Sequence, residues 1–176
     1  MSLPFSVILV GFMGAGKSAV GRSVARLTGS TFVDLDDRIE NEAGITVSEI
    51  FRTLGECGFR ELEKKLIRQA VSVPGHVIAT GGGAFADPEN RALLKGYAPV
   101  VYLEVAPETV LKRLGADDKR PLLQGGDRER KVRDLMTLRR AAYEEADITI
   151  TTDDKTVREI AAQVVSSVRK ARGDAQ

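Results

Sequence analysis

The sequence predicts a three-layer α/β domain: a parallel sheet of five strands with helices on both faces. Three observations carry that expectation. Short apolar, β-branched runs alternate with longer stretches of helical period along the whole chain. The runs are apolar throughout rather than polar at every second residue, as strands covered on both faces read. No repeat, linker or charge block divides the 176 residues, so residues 1–176 are read as one domain.

The elements follow in order. Phe5–Val10 reads as a buried strand, and Lys17–Leu27 as a helix with Val20, Val24 and Leu27 on one side. Thr31–Leu35 is a second strand. Residues 37–54 are helical in two pieces broken near Gly44, with Thr46 as a cap and Glu49 three residues on. Gly55 interrupts the pattern, and Glu56–Val71 resumes it with Phe59, Leu62, Leu66 and Ala70 as its stripe. His76–Thr80 is a third strand, stopped by three glycines. Asp87–Lys95 is a helix with Pro88 in its first turn, where the missing N–H costs nothing. Pro99–Glu104 is a strand and Pro107–Leu114 a helix. Residues 115–126 are polar, glycine-rich and without period, the composition of a functional lid or of disorder. Asp127–Ala146 is a long helix, Ile148–Thr151 the fifth strand and Lys155–Ala171 a closing helix. Arg172–Gln176 is expected to fray.

Composition narrows the function. Hydrophobic residues make up 43 % of the chain, enough for a packed core. A net charge of +1 argues against binding nucleic acid or anionic membrane through bulk charge. A single cysteine, Cys57, precludes an internal disulfide and suits a reducing compartment, where the thiol is expected to be inert. With no leader pattern at MSLPFS and no apolar stretch of membrane-spanning length, the expected location is cytoplasmic. The chain is expected to act as a monomer.

The strongest motif is GFMGAGKS, residues 11–18, which fits G-x-x-x-x-G-K-[ST] between an apolar strand and a helix. Backbone N–H groups must curl around an anion there, and side chains would block its approach. The helix start adds its positive end. The cradle comprises Gly14, Ala15, Gly16, Lys17, Ser18 and Ala19. Unless the stretch is a plain glycine-rich strand–helix turn, Lys17 reaches the β- and γ-phosphates of a nucleoside triphosphate, and the Ser18 hydroxyl ligates Mg2+. A GTPase would carry N-K-x-D and D-x-x-G, and neither is present. The third strand ends in glycines rather than in the metal-orienting acid of a mechanical ATPase. Small size and a lid-like segment favour a kinase acting on a small molecule.

Five further features bear on the acceptor and the transfer. Asp34-Leu-Asp36 follows the second strand; if the chain stays extended, the two carboxylates share a face roughly 6–7 Å apart. One of them would hold Mg2+ through water and the other accept a proton from an attacking hydroxyl, unless both belong to a solvated acidic turn. Arg60 lies beside the buried side of its helix, three residues from Glu63, and the pair is also compatible with a surface ion bridge. Arg139 falls within the apolar stripe Val132, Leu135, Met136, Ala142, Tyr143 and Ala146. An inward guanidinium needs a partner, either a carboxylate of the protein or the planar carboxylate of a ligand. Gly81, Gly82 and Gly83 end a strand on the same side as the loop, with open N–H groups or as a plain turn. Arg120, in KRPLL, is either a cation that swings over the phosphates or a solvated loop arginine.

In this order and with these gaps, GFMGAGKS, Asp34-Leu-Asp36, Gly55-Glu-Cys-Gly-Phe-Arg60, Gly81–Gly83, Arg120-Pro-Leu-Leu and Arg139 four before Tyr143 resemble the motifs of the shikimate kinases, over residues 5 to 165. The resemblance implies a P-loop kinase fold of the nucleoside monophosphate kinase type, with strand order 2-3-1-4-5. It implies a substrate-binding helical part over residues 34–62 and a lid over 115–126. It also implies transfer of a phosphoryl group from ATP to the 3-hydroxyl of shikimate, on the route to chorismate and the aromatic amino acids. By position, Asp36 becomes the hydroxyl-binding carboxylate and candidate base, and Asp34 supports the Mg2+ shell. Arg60, Arg139 and the glycines around Gly82 hold shikimate, Arg120 bridges toward the transferring phosphate, and Arg113 stacks near adenine. The chain departs from the family pattern at Ala141-Ala142, where Pro-Leu is common, and at Thr152-Asp153-Asp154-Lys155, where Arg or Pro is common. The competing readings are another small-molecule kinase, acting on nucleoside monophosphates or gluconate, and a silent ATP-binding regulator. A silent regulator would lack Lys17, Asp36 or Arg60, and all three are present.

Overall fold

In the computed structural model, residues 4–115, 121–123 and 126–173 are described. Five strands, β1 (Val7–Val10), β2 (Thr31–Asp34), β3 (His76–Ala79), β4 (Val100–Glu104) and β5 (Ile148–Thr151), form one parallel sheet in the order β2-β3-β1-β4-β5. β1, β3 and all but the last residue of β4 are buried, which explains their unbroken apolar runs. The helices are α1 (Lys17–Thr28), α2 (Leu35–Ala43), α3 (Val47–Ala70), α4 (Pro88–Tyr97), α5 (Pro107–Leu114), α6 (Arg128–Tyr143) and α7 (Val157–Arg172). α1 packs on α7, whereas α3, α4, α6 and a short 3-10 turn at Ala84–Ala86 form a second packed set. Right-handed crossovers put these two sets on opposite faces.

Helix boundaries follow their capping chemistry. Thr46 and Glu49 form the reciprocal capping box expected of them, and Thr156 with Glu159 forms a second one that opens α7. Pro88 occupies the first turn of α4 behind the Asp87 cap. α3 is two helices joined at Gly55, whose backbone leaves the helical region.

Two local expectations are corrected. The chain does not stay extended through Asp34-Leu-Asp36. β2 ends at Asp34, whose carboxylate accepts a hydrogen bond from the Asp36 N–H and starts α2 at Leu35. A cap of this kind supplies one of the donors that a helix start leaves unpaired, and that turns Asp36 into the first helical turn. In α1, Leu27 is 54 % exposed; Gly21 and Ala25 complete the buried face with Val20 and Val24.

The topology decides where a site forms. β1 connects toward one edge of the sheet and β3 toward the other, so a crevice opens at the carboxyl ends of these neighbours. The P-loop leaves β1 and the triple glycine leaves β3. β2 delivers Asp34 beside them, in register with Ala79.

Candidate active site

The cradle is built by local backbone. Gly14 (φ 79°) and Gly16 (φ 90°) occupy the left-handed region, which side chains resist, and the chain then enters α1. The Lys17 ammonium donates to the Gly11 and Phe12 carbonyls at 2.9 and 3.0 Å. The Ser18 hydroxyl donates to Asp34 Oδ2 at 2.5 Å, joining the loop to the end of β2. Ala15 is buried and Ala19 exposed on the first turn of α1. Arg113, on α5, donates to the Gly14 carbonyl at 3.0 Å and the Thr152 carbonyl at 3.4 Å, bridging the loop to the end of β5.

A cavity of about 800 Å3 opens beside the loop. Ser18, Asp34, Asp36, Arg60, Gly81, Gly82, Gly83 and Arg139 all line it, so residues from five separate stretches of the chain meet there. Arg60 donates from Nη1 to Glu63 Oε2 at 2.7 Å and from Nη2 to Glu56 Oε1 at 3.2 Å. Its partner Glu63 is 1 % exposed, so this is a half-buried pair rather than a surface bridge. Arg139 is 6 % exposed, lies over the Phe12 ring, and its Nη1 is buried without a hydrogen-bond partner. The glycines are there for room. A Cβ on Gly83 would stand 2.6 Å from Arg60 Nη2, and one on Gly82 3.3 Å from Arg139 Nη1.

Three residues that the sequence did not assign to the site also bear on it. Glu63 faces inward: a Cβ on Gly81 would be 2.9 Å from Glu63 Oε1 and 3.0 Å from Asp36 Oδ1, so the two carboxylates share one small space. Burial pushes the Glu63 carboxyl above its usual range; Arg60 opposes this and Asp36 adds to it. Glu63 Oε1 is a second buried atom without a hydrogen-bond partner. Burial also raises Asp37, helped by Asp34. The Tyr143 hydroxyl donates to the Gly82 carbonyl, and burial pushes its ionisation up to about 12. The spacing of Glu63 from Arg60 was a visible signal for the first. The four-residue step from Arg139 to Tyr143 was a signal for the last. Arg120 lies outside the described residues, as does most of the segment expected to be a lid.

The donor set suits a hard cation. Among the described residues no group of three or more His, Cys, Asp or Glu is gathered for a metal ion. Mg2+ needs none, because it usually binds one or two protein oxygens plus phosphates and water. The Ser18 hydroxyl and the Asp34 carboxylate, already in contact at the mouth of the cradle, are oxygens of that kind.

A model of the shikimate kinase family matches residues 13–169, nearly the whole chain. The chain belongs to the shikimate kinase family. A shikimate kinase of Geobacter sulfurreducens is 44 % identical over 173 residues, which cover 97 % of this chain and 96 % of that protein. The structure of a shikimate kinase from Acinetobacter baumannii in complex with shikimate superposes with a TM-score of 0.93 at 41 % identity, covering 97 % of this chain and 95 % of that one. A gluconokinase from Sinorhizobium meliloti shares the fold alone, with a TM-score of 0.59 at 15 % identity. The shikimate kinase family accounts for the order of the motifs; the cavity accounts for their chemistry. It mixes carboxylates with guanidinium groups, as an acceptor that is both an alcohol and an acid requires.

Proposed function

We propose that this chain transfers the γ-phosphoryl group of ATP to the 3-hydroxyl of shikimate. The observation that carries this reading is the buried, unpaired Nη1 of Arg139 on the cavity that the P-loop serine also lines. A guanidinium N–H group left without a hydrogen-bond partner in so enclosed a place is costly unless an acceptor completes it. Family membership supplies the acid that fits.

Each residue then has a role. Arg139 and Arg60 take the carboxylate and ring hydroxyls of shikimate, and the N–H groups of Gly81–Gly83 flank the ring. Asp36 accepts a hydrogen bond from the 3-hydroxyl and aims it in line with the γ-phosphate, serving as the base as the bond forms. Gly14 to Ala19 cradle the phosphates, and Lys17 neutralises the β- and γ-oxygens, leaving its own loop carbonyls to do so. Ser18 and Asp34 would hold Mg2+, which would supply positive charge against the charge that develops on the phosphates. Arg113 fixes the adenine side of the loop. Arg120 adds charge over the transferring group, and residues 115–126 exclude water that would otherwise hydrolyse ATP. The chain acts as a cytoplasmic monomer.

The test is ADP release by the purified chain with ATP and Mg2+, offered shikimate, nucleoside monophosphates and gluconate in turn. Shikimate-dependent turnover alone is expected. Turnover only with the other acceptors would sink the reading.

A further inference from the structure

Tyr143 is among the largest fully buried side chains of the protein, and its ring stacks on Tyr102 with centroids 5.0 Å apart. A phenylalanine would fill that space and keep that stack. The hydroxyl is used elsewhere: it donates to the carbonyl of Gly82, at the end of another strand, and the Arg139 guanidinium lies against the same hydroxyl. Gly82 also lies between Arg139 and the phosphate loop. A Cβ there would be 3.3 Å from Arg139 Nη1, 3.4 Å from the Met13 nitrogen and 3.8 Å from the Gly11 oxygen. One glycine peptide thus separates the guanidinium from the loop around the phosphates.

We propose that Tyr143 is a positioning residue for phosphoryl transfer: through its hydroxyl it ties Gly82 to Arg139 and sets the spacing between the arginine that holds the acceptor and the loop that holds ATP. The inference rests on the reading of the cavity as the shikimate site. Fixing the Gly82 carbonyl on Tyr143 also fixes the plane of the peptide that carries the Gly83 N–H, which points the opposite way from that carbonyl. In-line transfer is sensitive to such spacing, because a displacement of about 1 Å between reacting groups costs orders of magnitude in rate.

The experiment is Tyr143→Phe, alone and combined with Arg139→Lys, with kcat and both KM values measured alongside thermal melting. The single variant is expected to melt within a few degrees of the parent and to keep the KM for ATP within about twofold. It is expected to lose about tenfold in kcat/KM for shikimate, mostly in kcat. In the double variant the two losses combine to less than their product, since both act on one contact. Unchanged kcat/KM for shikimate in the single variant, equal damage to ATP and shikimate, or fully multiplicative losses would each overturn the proposal. Should the single variant unfold, Gly82→Ala shifts the same spacing without touching the core, and normal kcat there overturns it too. Absence of shikimate turnover in the parent chain overturns both this inference and the reading beneath it. Normal parent turnover with a normal Tyr143→Phe overturns the inference alone.

Discussion

Lys17 on the phosphate loop and Arg139 on the cavity are two cations that differ in how their polar atoms are satisfied. The Lys17 ammonium rests on two carbonyls of its own loop, Gly11 and Phe12. Arg139 has a buried Nη1 with no hydrogen bond at all, held beside the Phe12 ring and behind Gly82. The phosphate loop is largely a local object: eight consecutive residues set its shape, and its remaining polar groups find partners in Asp34, for the Ser18 hydroxyl, and Arg113, for the Gly14 carbonyl. The cavity is assembled from the ends of β2 and β3, from α3 and from α6, and it keeps two buried atoms unsatisfied, one on Arg139 and one on Glu63. The difference teaches where specificity is stored. A general cradle for ATP can be stable when empty. The cavity keeps buried polar atoms without hydrogen bonds, which a ligand of matching donors and acceptors would complete and a mismatched one would leave unsatisfied.

Breaking the local half gives the largest effect. Lys17→Met should lower shikimate-dependent turnover by at least about a thousandfold, since the charge on the transferring group is then unmatched; coupled ADP release measures it, and a residual rate within tenfold of the parent would contradict the assignment. Asp36→Asn should lower kcat by about a hundredfold while calorimetry shows ATP binding unchanged. Near-normal turnover there would remove Asp36 from the chemistry. Arg139→Ala should raise the KM for shikimate by about 10- to 100-fold, the worth of a charge-assisted hydrogen bond, with the KM for ATP within twofold. An equal rise in both would erase the distinction between the two halves.

The smallest expected effect sharpens the comparison rather than breaking it. Burial raises the Glu63 carboxyl above the ordinary glutamate value of 4.5, so the folded state binds that proton more tightly than the unfolded chain. The Glu63 contribution to stability therefore improves as the pH falls from neutral toward about 4.5 and worsens as it rises through the folded value. Glu63→Gln does not titrate. The melting temperature of the parent minus that of Glu63→Gln should shift in favour of the parent, by a few degrees at most, between pH 7 and pH 5. A constant difference would show that Glu63 is no more burdened in the fold than in the unfolded chain.

The parts of the site that were legible in advance are those whose geometry is local. The cradle from Gly14 to Ser18 could be read because glycine spacing and a following helix fix backbone N–H groups without help from the rest of the chain. Arg139 could be flagged because a charge inside an apolar stripe is directed inward by the helical period alone. The Asp34-Leu-Asp36 geometry could not be read, because whether that stretch stays a strand depends on where the Asp34 carboxylate turns. It turns onto the Asp36 N–H while also accepting from Ser18, a residue on another element. Glu63 was visible as a partner of Arg60, but its burial depends on Gly81 closing over it from the end of β3.

By itself, then, the sequence determined the layered parallel sheet, the phosphate-loop motif and the identity of the charged groups that the cavity gathers, since period, turn chemistry and capping act over a few residues. Only the tertiary structure decided which of those groups are buried, which are left unpaired, and that the Tyr143 hydroxyl reaches Gly82. Those outcomes depend on strand order, which brings the ends of β1, β2 and β3 side by side; desolvation is a property of what packs over a residue, not of the residues next to it in the chain.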